Sequence, residues 1–176
     1  MNEQSLGIAG KIMTFIIVMF IALHSLTAAQ SGGSQSSEIP ESVTTVFKTA
    51  GLDRHYELSS HMKPSHLKGD FDGDRKPDIA VLVKEKSAGK IGIAVFHSST
   101  NNVVFIGAGT KLGNGGDNFD WMDVWSVTAK AAAAKQVGKA AAVLLKGDAL
   151  HVEKSESASA LIYWNGKRYI WRQLGD

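Results

Sequence analysis

The sequence predicts an α+β, β-rich fold, with a short N-terminal helix on an antiparallel sheet or small sandwich of about six to eight strands. Three observations predict it. Asp78 to Val83 (DIAVLV) is apolar and β-branched on both faces, as a central strand covered on two sides must be. Ala158 to Trp164 and Lys167 to Arg172 flank Asn165-Gly166, a pair suited to the positive-φ positions of a two-residue hairpin turn. Pro40 to Ala50 places Val43, Val46, Phe47 and Ala50 at helical spacing.

Taken in order, the chain of 176 residues opens on Ile12 to Leu23, an almost unbroken apolar run between Lys11 and Leu26-Thr27-Ala28-Ala29. The run is shorter than the roughly 20 apolar residues that a spanning helix needs. Small residues follow it where a signal peptidase would cut, with Ala29 before the cut and Thr27 two earlier. Residues 1–29 therefore read as a cleaved signal peptide, with an uncleaved membrane anchor or a buried core helix as the alternatives; cleavage implies export to a periplasm or the extracellular space and no stable membrane span in the mature protein. Residues 30–38, rich in Gly and Ser, read as a flexible linker, and 39–176 as a single β-rich domain.

Within that domain Pro40 suits a first helical turn, Glu41 the N-terminal dipole and Gly51 the C-terminal stop. Strands are expected at Asp78 to Val83, Ile91 to Phe96, Val103 to Ile106, Trp121 to Val127 and Ala141 to Leu145. Thr128 to Gln136 is alanine-rich and reads equally as helix or loop. In the terminal hairpin a two-residue turn pairs Trp164 with Lys167, Ile162 with Tyr169 and Ala160 with Trp171. No internal repeat is visible.

Charge and cysteine narrow the function classes. Loss of residues 1–29 removes Lys11 and Glu3, lowering 19 basic and 17 acidic residues to 18 and 16. That balance, without a block of five like charges, argues against nucleic acid as a partner. With no cysteine, the exported chain has neither disulfides nor a thiol nucleophile, so burial, hydrogen bonds or a metal must hold the fold.

The chemistry concentrates in Gly69 to Val83 (GDFDGDRKPDIAVLV). Counted from Asp70, carboxylates fall at positions 1, 3, 5 and 9: Asp70, Asp72, Asp74 and Asp78. Calcium takes six to eight oxygens at about 2.3–2.6 Å. Alternate carboxylates in a tight loop can converge on one such ion, with the Lys76 main-chain carbonyl filling the gap before Asp78. Without a cation the four charges repel one another. The competing reading is a solvated Asp/Gly turn that binds nothing.

This segment resembles the calcium loop of FG-GAP and VCBS-type repeats, the blade motif of integrin-like β-propellers and of many secreted bacterial proteins. The resemblance implies Ca2+ held by Asp70, Asp72, Asp74, the Lys76 carbonyl and Asp78, with an apolar strand directly after. It covers about 15 residues in a single copy. A propeller needs about four to eight blades, so a full propeller is not expected. Family members commonly have glycine where this chain has Arg75, which implies weaker affinity if that position needs positive φ. An EF-hand fits poorly, because its position-6 glycine and position-12 glutamate are here Arg75 and Val81. The closing segment LIYWNGKRYIWRQLGD is similar to the C-terminal hairpin of small secreted bacterial proteins that carry this loop, and that likeness implies no chemistry.

Other candidates are weaker. His55, His61 and His66 match no helical ligand spacing for zinc and read as surface or packed histidines. The long loop Gly107 to Trp121, with Asn114, Asp117, Asn118 and Asp120, reads as a connection before it reads as a second calcium or sugar site. Trp121 and Trp125 suit a core as well as sugar stacking. No catalytic constellation is legible, which points away from an enzyme. The expectation is an exported, calcium-stabilised, non-enzymatic module that binds a protein or glycan surface. A hydrolase on cell-wall or sugar substrates and a purely structural domain are the alternatives.

Overall fold

The computed structural model describes residues 38–60, 62–142 and 144–175. The expected leader at 1–29 and linker residues 30–37 lie outside the described residues. Among the described residues no helix is long and apolar enough to cross a membrane.

Among the described residues, nine strands form two antiparallel sheets. In the first, β3 (Asp78–Glu85), β4 (Ile91–His97) and β5 (Asn102–Gly107) run as a meander. Two short strands, β1 (Tyr56–Ser59) and β2 (His66–Gly69), share the free edge of β3: β2 pairs its first half and β1 its second. The second sheet is a meander of β6 (Val124–Thr128), β7 (Ala149–Lys154), β8 (Ala158–Trp164) and β9 (Tyr169–Gly175).

Alternation along the strands builds the layers. Ala80, Leu82, Ile93 and Val95 of the first sheet meet Leu150, Val152, Ala160 and Ile162 of the second in the main core. On the outer face of the first sheet, Val81, Val83, Ala94 and Phe96 pack under Val43 and Phe47 of helix α1 (Glu41–Thr49). On the outer face of the second, Ala149, Leu161 and Tyr163 pack against Ala133 and Val137 of α2 (Lys130–Val137) and against Ala141 and Ala142 of α3 (Lys139–Ala142). The order of layers is helix, sheet, sheet, helix. β3 is the doubly covered strand that its composition predicts, with Ala80 to Val83 fully buried.

The structure corrects three local expectations. The terminal hairpin pairs Trp164 with Tyr169 and Ile162 with Trp171, two residues away from the two-residue-turn register. Asn165 Oδ1 accepts the N–H groups of Lys167 and Arg168, both at 2.9 Å, and so holds a longer loop. A shift of two keeps every side chain on its face, which is why the core tolerates it. Ala141 to Leu145 is not a strand: its alanines continue the helical propensity of α2 into α3 after a break at Gly138. The strand expected over Trp121 to Val127 begins only at Val124, because Trp121 lies in a turn.

Candidate metal centre

Gly69 stands opposite Asp78 in the β2–β3 pair, so residues 70–77 close a hairpin and bring position 1 back toward position 9. Inside that loop each carboxylate accepts backbone N–H groups a few residues ahead, in the manner of Asx turns. Asp70 Oδ1 accepts from Gly73 (2.8 Å) and Oδ2 from Arg75 (3.1 Å). Asp72 Oδ1 accepts from Asp74 (3.1 Å), and Asp74 Oδ1 from Lys76 (2.7 Å). The Ser99 hydroxyl donates to Asp74 Oδ2. The ladder turns the three side chains inward, and Asp70, Asp72 and Asp74 each offer an oxygen within 4.8 Å of the others. Two oxygens on opposite sides of one calcium stand about 4.8 Å apart, so this spacing fits a shared ion.

Asp78 is placed differently. Its side chain is fully buried, with Oδ2 accepting from Phe71 N (2.9 Å) and Asp72 N (3.3 Å) and Oδ1 from Ser98 N (3.0 Å). It groups with Asp72 and His97, not with Asp70 and Asp74. Asp72 belongs to both groups. Lys76 is exposed at the loop's far side, its N–H given to Asp74.

His97, at the end of β4, is 5% exposed. Its Nδ1 lies 3.2 Å from Asp72 Oδ2 and 3.4 Å from Asp78 Oδ2, within ion-pair range of both, yet makes no well-directed hydrogen bond to either. Its Nε2 meets the Tyr169 hydroxyl of β9 at 3.2 Å. Burial works against a charged imidazole, but contact with Asp78 and the fields of Asp78, Asp72 and Asp74 outweigh it and raise the pKa. Burial raises the Asp72 carboxyl, with the Asp74 N–H opposing and the neighbouring carboxylates adding. Asp74, open to solvent, is lowered by the Ser99 hydroxyl and the Lys76 N–H. Burial, followed by the charges of Asp78 and Asp72, pushes the Tyr169 phenol up.

The segment at 146–148, which leads into β7, clasps the loop. Asp148 Oδ2 accepts the Asp70 N–H (3.1 Å), while the Asp148 N–H donates to the Asp70 carbonyl (2.6 Å). Asp148 Oδ1 also accepts the Lys130 N–H at the start of α2 (2.9 Å). The approach is close enough to require glycine on both sides. A Cβ on Gly73 would stand 2.2 Å from the Lys146 carbonyl oxygen, and one on Gly147 2.0 Å from that of Asp70. Arg75 has φ +70°, the left-handed region in which an L side chain crowds its own backbone.

Among the described residues, none of the remaining candidates joins either carboxylate group. His66 is buried with its ring beside the Ser65 hydroxyl, and burial, then Lys68, lower its pKa. His55 is exposed, and His61 lies outside the described residues. In the loop from Gly107 to Trp121, Asn118 Oδ1 accepts the N–H groups of Ile91 and Asp120, and Asp117 pairs with Lys90. Trp125 is a core residue whose indole N–H donates to the Pro64 carbonyl (3.0 Å). Trp121 is half-buried against the same core.

His97, Tyr169 and Asp148 are the site residues that sequence reasoning misses. For Asp148 a signal existed: Leu-Lys-Gly-Asp occurs at 67–70 and again at 145–148, a recurrence too short to stand out as a repeat. Compared with known proteins, the chain matches no family model, no curated protein and no solved structure.

Proposed function

We propose that this chain is an exported calcium-binding β-module, not an enzyme, whose loop at 70–78 is of the FG-GAP/VCBS type and whose partner is a protein or glycan surface. The observation that supports it most is the convergence of Asp70, Asp72 and Asp74 carboxylate oxygens within 4.8 Å in a loop held by its own backbone N–H groups. All the donors are hard oxygens, which suits Ca2+. In this reading Asp78 and the Lys76 carbonyl complete the shell, and the ion offsets repulsion among charges that the loop otherwise leaves close together. The leader-like N-terminus supports export, and the near-even charge leaves partner choice to shape and hydrogen bonding.

Calcium binding to the folded state alone adds about 2.7 kcal/mol of stability at a hundredfold excess over the dissociation constant. The purified protein should therefore melt several degrees higher in millimolar calcium than in chelator, with a one-to-one calorimetric isotherm. Asp74→Ala should abolish both signals. An unchanged melting temperature in the wild type removes the proposal and leaves a self-capped turn.

A further inference from the structure

We propose a second cation site beside the calcium loop, one that takes a first-row transition dication of the Zn2+ class through His97 Nδ1, Asp72 Oδ2 and Asp78 Oδ2. It goes beyond the calcium reading, and Asp72 and Asp78 would be shared between the two ions. Acidic residues alone would not suggest it. The independent observation is His97 Nδ1, a buried ring nitrogen without a hydrogen-bond partner, aimed at two carboxylate oxygens 3.2 and 3.4 Å away.

Those separations suit an ion between the three atoms. With Zn–N and Zn–O near 2.0–2.2 Å, neighbouring ligands of one tetrahedral centre stand about 3.3 Å apart. One imidazole with two carboxylates is a borderline donor set, matched to zinc and its neighbours better than to calcium. Tyr169 at His97 Nε2 completes the arrangement. When Nε2–H donates to the phenol oxygen, Nδ1 holds the lone pair that a metal requires, and the ring orientation is fixed from the second sheet. Without a metal a proton on Nδ1 would face the two carboxylates, and the ion takes that proton's place.

Asp78 Oδ2 already accepts two N–H groups, one of them long at 3.3 Å, so it is the weakest of the three ligands and serves chiefly as charge. Asp72 Oδ2 and His97 Nδ1 are the principal donors, and water fills the remaining positions. The Asp72 side chain is 16% exposed, which gives an ion a way in from the loop side.

The test is Zn2+ titration of the chelator-treated protein, without Ca2+ and then in saturating Ca2+, followed by calorimetry and by the ring-nitrogen NMR signals of His97. One equivalent of Zn2+ should bind and shift Nδ1 far more than Nε2. His97→Gln should weaken binding at least about a hundredfold and Tyr169→Phe about tenfold, in line with direct and outer-shell partners. Asp74→Ala should lose the calcium response and keep the zinc one, which separates the two sites. The NMR reading needs no variant, so a His97 substitution that fails to fold does not shield the proposal. Absence of saturable Zn2+ binding overturns it, as does binding that leaves His97 Nδ1 unmoved; the ring would then be an ion-pair partner of Asp72 and Asp78 only.

Discussion

Arg75 holds φ +70°, where an L side chain crowds its own backbone. Glycine there removes the crowding but adds freedom to the unfolded chain, so Arg75→Gly should gain up to about 1 kcal/mol in chemical denaturation without calcium. It should also tighten calcium binding. Gly73 faces the opposite constraint. Its missing Cβ would enter the Lys146 carbonyl, and Gly73→Ala should lose about 1–3 kcal/mol by the same measurement. At this scale the spacing of Asp70, Asp72 and Asp74 was fully legible, because residues two apart in a tight loop need no tertiary knowledge to be brought together. His97 was not, since only the β3–β4 register carries it to Asp72 and Asp78. Asp148 lies 78 residues from Asp70, beyond the reach of any local pattern.

Strands with strong alternation or β-branched runs, such as β3 and β4, were readable from composition. β7 also alternates, with Leu150 and Val152 inward and His151 and Glu153 outward, but the neighbouring alanine run drew the strand assignment away from it. The terminal hairpin shows how far side chains alter a turn. Asn165 accepts two N–H groups through Oδ1, so Asn165→Ala should cost about 1 kcal/mol and loosen the β8–β9 loop, read by amide hydrogen exchange at Lys167 and Arg168. The β3–β4 turn has a similar cap. Glu85 accepts from the Ser87 hydroxyl and from the N–H groups of Ala88 and Ser87, which lower its pKa from the ordinary carboxylate value. A carboxylate with a depressed folded pKa contributes stability above its unfolded pKa and loses it as pH falls through the folded one. Melting temperature should therefore fall as the pH is lowered from above the ordinary glutamate pKa through the depressed folded one, and the fall should be smaller in Glu85→Gln.

Across the whole molecule, the two sheets are joined by more than apolar packing. Asp148 ties the loop of the first sheet to the start of α2 on the second, and the Tyr169 hydroxyl reaches across the core to His97. Asp148→Ala leaves Asp70 N–H and Lys130 N–H without their acceptor and should cost about 1–3 kcal/mol. Because Asp148 is outside the proposed ligand set, a fall in calcium affinity in the same variant, measured by calorimetry, identifies the clasp as what shapes the loop. The layered α+β architecture was legible because burial patterns are periodic; the clasp was not, because a four-residue recurrence is meaningful only once its two copies touch. His97 also lies 5.7 Å, ring centre to ring centre, from Trp164, whose carbonyl accepts the Lys146 N–H within the clasp. Trp164 thus meets the histidine through its ring and the strap behind the loop through its carbonyl. The molecule thereby contains its own optical gauge: ultraviolet emission should change when a cation enters, and Trp164→Phe should silence that change while Trp121→Phe leaves it intact.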